Sequence, residues 1–273
     1  MLAALSGCSS PGGAPEPGVI DCDRFRLVVL NGLSVANPDY RPHWEYQHRK
    51  PACGPEVSPF HRSVPIGLAP RSLGTARIVS DPPMWADEIG QSADGELALP
   101  RLGEWGMSAV IRSLGIPGSP GEQDTVTTLS GVRDDFTVQA VVELRSPLPE
   151  AGIADLWATP EVLFFSPAGP GKPLGWDWDS PGLNCDGLRG FGFCEGGRSA
   201  TSAFRIWVSL LTEGDAPALE QIGLDLDELR RRADAGMIHG FVMSNLPGQV
   251  ARVSRDPRVA SVTVIDMVPW VAG

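Results

Sequence analysis

Lysine is nearly missing from this chain. Lys50 and Lys172 are the only two, and arginine supplies the rest of the 22 basic side chains. Set against 33 acidic residues, they leave a net charge of −11. That balance excludes the cation-rich surface on which nucleic-acid binding depends. It equally excludes a basic patch for an anionic membrane face. Long apolar runs are missing too: none approaches the ~18 residues that mark a membrane-spanning helix. Any membrane attachment must then come from a covalent or hydrophobic anchor.

Several catalytic signatures are also absent. The chain has no Gly-x-Ser-x-Gly elbow, no His-Glu-x-x-His, no phosphate loop ending in Gly-Lys-Ser/Thr and no Gly-x-Gly-x-x-Gly. "GFGFCEGG" comes nearest to the last, but Glu195 stands at its third glycine position. No Cys-x-x-Cys occurs, and the four histidines lack zinc-ligand spacing. These absences point away from a cofactor or metal and lower the case for an enzyme. Triads assembled from distant residues stay open.

What the chain does have is glycine and proline, 32 and 26 residues, with eight tryptophans and a hydrophobic share of 42%. That mixture describes a packed globule with long irregular loops.

The first ten residues, "MLAALSGCSS", place a short apolar segment before a cysteine. Leu5-Ser6-Gly7-Cys8 resembles the lipobox of bacterial lipoproteins. The resemblance implies that Cys8 carries diacylglycerol on its sulfur and becomes the mature first residue after cleavage. Residues 1–7 are then a truncated signal segment, and residues 8–22 the lipidated cysteine with a Ser/Gly/Pro tether. Together with the arginine-rich composition, these residues make the chain similar to actinobacterial envelope lipoproteins. The implied location is extracytoplasmic, lipid-anchored to the cell membrane. With Cys8 used, Cys22, Cys53, Cys185 and Cys194 remain, an even number that fits two disulfides in an oxidising compartment. Three pairings are open, and sequence proximity favours Cys22–Cys53 with Cys185–Cys194.

Beyond the tether, "DRFRLVVLNGL" (Asp23 to Leu33) reads as a strand, followed by Pro-punctuated loop from Ser34 to Leu97. Residues 99–115 have helical spacing. "FTVQAVVEL", "PLPEAGIADLWATPE" and "VLFFSPA" then read as strand, helix and strand. "MIHGFVMS", "NLPGQVARVSRDPR" and "VASVTVIDM" repeat that order near the C-terminus. Leu148-Pro149 and Leu246-Pro247 open the two helices, and Pro160 and Pro257 precede the two closing strands. "FRIWVSLL" from Phe204 echoes "FRLVVLNGL" as an earlier strand. "APALEQIGLDLDELRRRADAG" is the clearest helix. The fold class is α+β: duplicated strand–helix–strand–helix–strand units, helices on one face of the sheet, with long Pro/Gly-rich loops. The units fall at 23–175 and 199–273, separated by a disulfide-closed insert at 176–198.

Trp176, Trp178, Phe191 and Phe193 cluster around that insert. They form either a recognition surface or the core of the loop. Asp177-x-Asp179 begins like a calcium loop, but Pro181 occupies the third ligand position, so a solvated acidic loop is the expectation. The leading function is a non-catalytic binding or interaction protein of the cell envelope. Its partners would be the membrane through Cys8 and a surface protein or small molecule. The alternative is a secreted hydrolase using His43, His48 or His61 with a loop carboxylate. A third resemblance, of "IHGFVMS…DPRVASVTV" to inhibitory propeptides of subtilisin-like proteases, covers about thirty residues.

Overall fold

The computed structural model describes residues 22–43, 62–71, 85–115, 129, 131–156, 158–167, 171–178 and 199–269. The first helix, α1, runs through three continuous pieces: Cys22–Phe25, a π-helical turn Arg26–Leu30, and Asn31–Ala36. Strands β1 (Tyr40–His43), β2 (Arg62–Pro70), β3 (Trp85–Gln91) and β4 (Leu97–Ala98) follow, then helix α2 (Gly106–Ser113). Next come β5 (Phe136–Leu148), α3 (Glu150–Ala154), β6 (Pro160–Phe164) and β7 (Gly175–Asp177). The last third holds α4 (Ala200–Leu210), α5 (Ala216–Ile222), α6 (Leu226–Ala235), β8 (Ile238–Asn245), α7 (Pro247–Val253) and β9 (Val259–Pro269).

The main sheet has the order β7-β6-β8-β5-β9, with every neighbouring pair antiparallel. Two β-α-β segments, β5-α3-β6 and β8-α7-β9, interleave so that their first strands pair at the centre. This is the split β-α-β arrangement, also called ferredoxin-like. Strands from before and after the insert therefore share one sheet. Both crossover helices open as their prolines dictate. Pro247 takes the first position of α7, where a missing N–H costs nothing, and Pro149 caps α3.

Two segments read as strands are helices. In α1, Leu27, Val28 and Val35 face the main core, while Phe25, Val29, Leu30 and Leu33 face a second cluster. A helix apolar on all sides is a buried helix, and its β-branched run cannot be told from a strand by pattern alone. In α4, Phe204, Trp207, Val208 and Leu211 fall on one stripe and are all buried. Ser199 caps α4 by accepting from Ser202 N. The repeated pattern is accordingly strand–helix–strand, without the earlier strands. The long helix expected over 216–235 is two helices, because Gly223 adopts φ 87° and ends α5. Asp225 then caps α6 by accepting from Glu228 N at 2.6 Å. Nothing lies within 4 Å of a Cβ at Gly223. Gly223→Ala is expected to cost only the left-handed backbone penalty, about 1 kcal/mol, in urea unfolding.

The expected Ser34–Leu97 loop contains the second sheet, order β1-β2-β3-β4. Its Tyr40, Ile66, Leu68 and Ile89 pack on α1. Both faces of the main sheet are covered, where one was expected. Ile153, Phe204, Trp207, Leu229, Val250 and Val253 fill one side against Val138, Ala140, Val142, Phe241 and Met243. Met107, Ile111 and Leu114, at and just beyond α2, cover Val141, Val162, Phe164 and Val242 on the other.

The turn after α7 is held by a charge pair. Asp256 accepts from Arg258 N and Nε at 2.9 Å each and from the guanidinium at 2.8 Å. The Arg258 hydrogen bonds bring its pKa down from 3.8 to about 2. Because the folded value lies below the unfolded one, this contribution to stability is complete above pH ~4 and is lost as pH falls towards 2. NMR titration of the Asp256 carboxyl should give a midpoint near 2, moving back towards 3.8 in Arg258→Ala.

Candidate binding site at the junction of the two sheets

Of the residues singled out in the sequence, Cys8, Cys53, Cys185, Cys194, Phe191, Phe193, His48 and His61 lie outside the described residues. Cys22 starts α1 and His43 ends β1. Trp176 is buried, with its ring centroid 5.5 Å from that of Phe204 and 5.7 Å from that of Trp207. Trp178 is half-buried against the same core. Of the two readings of this pair, the core prevails, since β7 carries Trp176 under α4 rather than outward. Asp177 is likewise no part of a solvated loop, because β7 places it inside the protein.

The site that does form is polar and gathers at the seam between the two sheets. The main-sheet face that carries Val141 and Val242 turns polar one pleat further on. Gln139 and Ser244 are direct cross-strand partners there, as Val141 and Val242 are. Equivalent positions in a strand pair share a face. Ser244 donates to Glu161 Oε1, while Gln139 Nε2 and Arg41 both lie 3.4 Å from Glu161 Oε2. Asp177 pairs with the Arg71 guanidinium, and the two side chains are 6% and 2% exposed. Burial pushes Arg71 down and Asp177 up, in each case ahead of their mutual attraction. A charge pair so poorly hydrated returns little net stability.

Two atoms of this cluster have no partner among the described residues: Arg71 Nε and Gln139 Oε1, both shut off from solvent. The Gln139 orientation follows from chemistry, because its amide nitrogen must face the Glu161 carboxylate and its oxygen therefore points away. An orphaned buried donor or acceptor forfeits about 1–3 kcal/mol. Arg41 forms the rim, with a half-exposed side chain.

A second cluster adjoins the first, joined by the Arg71 N–H donating to Asp39 O at 2.8 Å. Here Lys172 Nζ sits 2.7 and 2.8 Å from the two oxygens of Asp39, whose side chain is fully buried. Nζ also donates to Asn37 Oδ1 at 3.2 Å and lies 5.7 Å from the Tyr40 ring centroid. Ser108 Oγ donates to Asp39 at 2.5 Å and accepts from Trp105 N at 3.1 Å, tying the start of α2 to the same carboxylate. Tyr40 Oη donates to Gly103 O at 2.7 Å and accepts from Trp105 Nε1 at 2.8 Å. Burial raises the Tyr40 pKa, so the hydroxyl stays protonated. Every donor of this second cluster is used to hold structure in place, whereas the first retains unused valences.

Both serine hydroxyls give their protons to carboxylates, Ser108 to Asp39 and Ser244 to Glu161. Sequence reading missed Arg41, Arg71, Gln139, Glu161, Ser244, Asp39 and Lys172. The rarity of lysine was the one available signal, and it marks Lys172. Among the described residues no group of three or more His, Cys, Asp or Glu is arranged for a metal, and no helix is long and apolar enough to cross a membrane. Compared with known proteins, the chain matches no family model, no curated protein and no solved structure.

Proposed function

We propose that this chain is a cell-envelope lipoprotein, tethered through Cys8, that acts as a non-catalytic binding protein, and that the junction cluster is where it holds a ligand. The observation that carries the binding reading is the pair of unsatisfied buried atoms, Arg71 Nε and Gln139 Oε1, behind the half-exposed Arg41. Buried polar groups are almost always paired, and a ligand would complete these two. The net charge of −11 argues for a covalent anchor over a basic membrane patch. The Ser/Gly/Pro composition from Ser9 to Val19 is the one expected of a tether.

Two measurements on protein from the membrane fraction of its host test this. Intact mass should correspond to a chain starting at Cys8 with added acyl groups, gaining four protons on reduction if both bridges exist. An unlipidated mass retaining Met1 would overturn the anchor. Native mass spectrometry should show a small molecule retained by the wild type and lost in Gln139→Met. A wild-type protein that never carries one, from any growth condition, would overturn the binding reading.

A further inference from the structure

The unused valences of the junction cluster also restrict the ligand's chemistry, an argument that rests on the binding reading above. Its four charged groups, Arg41, Arg71, Glu161 and Asp177, sum to zero and are already opposed in pairs, Arg41 with Glu161 and Arg71 with Asp177. An added anion would bring a third negative charge beside Glu161 and Asp177, which already balance the two guanidinium groups. An added cation would meet carboxylates already engaged by Ser244, Gln139 and the two arginines. Burial already disfavours the charged forms of Arg71 and Asp177, so a third uncompensated charge has no support here.

What remains is one planar N–H donor, Arg71 Nε, and one carbonyl acceptor, Gln139 Oε1. We infer that the cluster takes a neutral carboxamide, a peptide bond or N-acyl group, whose carbonyl accepts from Arg71 Nε while its N–H donates to Gln139 Oε1. A secondary amide is uncharged and offers one strong acceptor and one strong donor in a single plane. The remaining surface of such a ligand would leave past Arg41, the solvent-facing member of the set.

The test is a ¹⁵N NMR titration of the full chain with N-methylacetamide, which carries one donor and one acceptor. Acetate and glycerol serve as matched probes. The Arg71 Nε–H and Gln139 side-chain signals should shift together and saturably with N-methylacetamide, and neither should respond to the other two. In Gln139→Met, which keeps length and loses both polar atoms, the affinity should fall at least tenfold while the backbone spectrum is preserved. Saturable shifts at the same two groups from acetate or glycerol instead would overturn the amide assignment and leave the site standing. No response to any of the three would mean that ordered water completes these groups, and the site itself would fall.

Discussion

Lys172→Met should be among the most damaging single changes to this protein, at about 3 kcal/mol in urea unfolding. The side chain of Asp39 has no exposure at all, and Lys172 is the cation that contacts both of its oxygens. Methionine preserves the length and the packing over Tyr40 but leaves the carboxylate with Ser108 as its remaining side-chain donor. An ionised carboxylate in that position loses the cation that contacts it and has no exposed surface through which water could replace it. The damage should be largely reversed by adding Asp39→Asn, which removes the charge and keeps an acceptor for Ser108. A double-mutant cycle reads this directly. If Lys172→Met cost no more than the ~1 kcal/mol of an exposed ion pair, the pair would have to be solvated in solution. Because Ser108 ties α2 to Asp39, the same change should also loosen the cover that Met107 and Ile111 place over the main sheet.

The second large effect belongs to Gly240, which lies opposite Glu143 in the central pair of strands. A Cβ there would stand 2.5 Å from the carbonyl oxygen of Val142 and 3.1 Å from Phe164 Cδ2. The first of these neighbours is backbone in a strand bonded on both sides, so it cannot yield without disturbing the β5–β9 ladder as well. Gly240→Ala is therefore expected to destabilise by about 3 kcal/mol, the upper end of overpacking costs, against a total of ~5–15 kcal/mol for an ordinary domain. Gly248 in α7 is the control, since nothing lies within 4 Å of a Cβ there. Gly248→Ala should stabilise by about 0.5 kcal/mol through the lower entropy of the unfolded chain. Equal losses at the two glycines would show that the Val142 contact does not decide the outcome.

The two β-α-β segments were legible because their punctuation is local. Pro149, Pro160, Pro247 and Pro257 mark helix entries and strand approaches within a few residues of the boundaries they set. The helical character of α1 and α4 was hidden for the opposite reason. Phe25 to Leu33 is packed on two sides, and periodicity vanishes when no face meets water, whereas the single buried stripe of α4 is obscured by the further apolar residues Ile206 and Leu210 beside it. The small sheet was masked by Pro42, Pro65 and Pro70, which read as loop although β1 and β2 accommodate them. The junction cluster left no trace in the sequence as a cluster. Its six residues are scattered from Arg41 to Ser244, and only the strand register gathers them. Asp177 was noticed for its charge, but burial, which sequence does not report, turned it from a solvated carboxylate into the partner of Arg71.

The interleaving of the main sheet also dictates an order of events during synthesis. Strand β5 finds both of its neighbours, β8 and β9, in the last part of the chain, and β6 reaches β5 only through β8. A growing polypeptide therefore cannot close this sheet until its final strand has emerged, and pairings so distant in sequence form slowly.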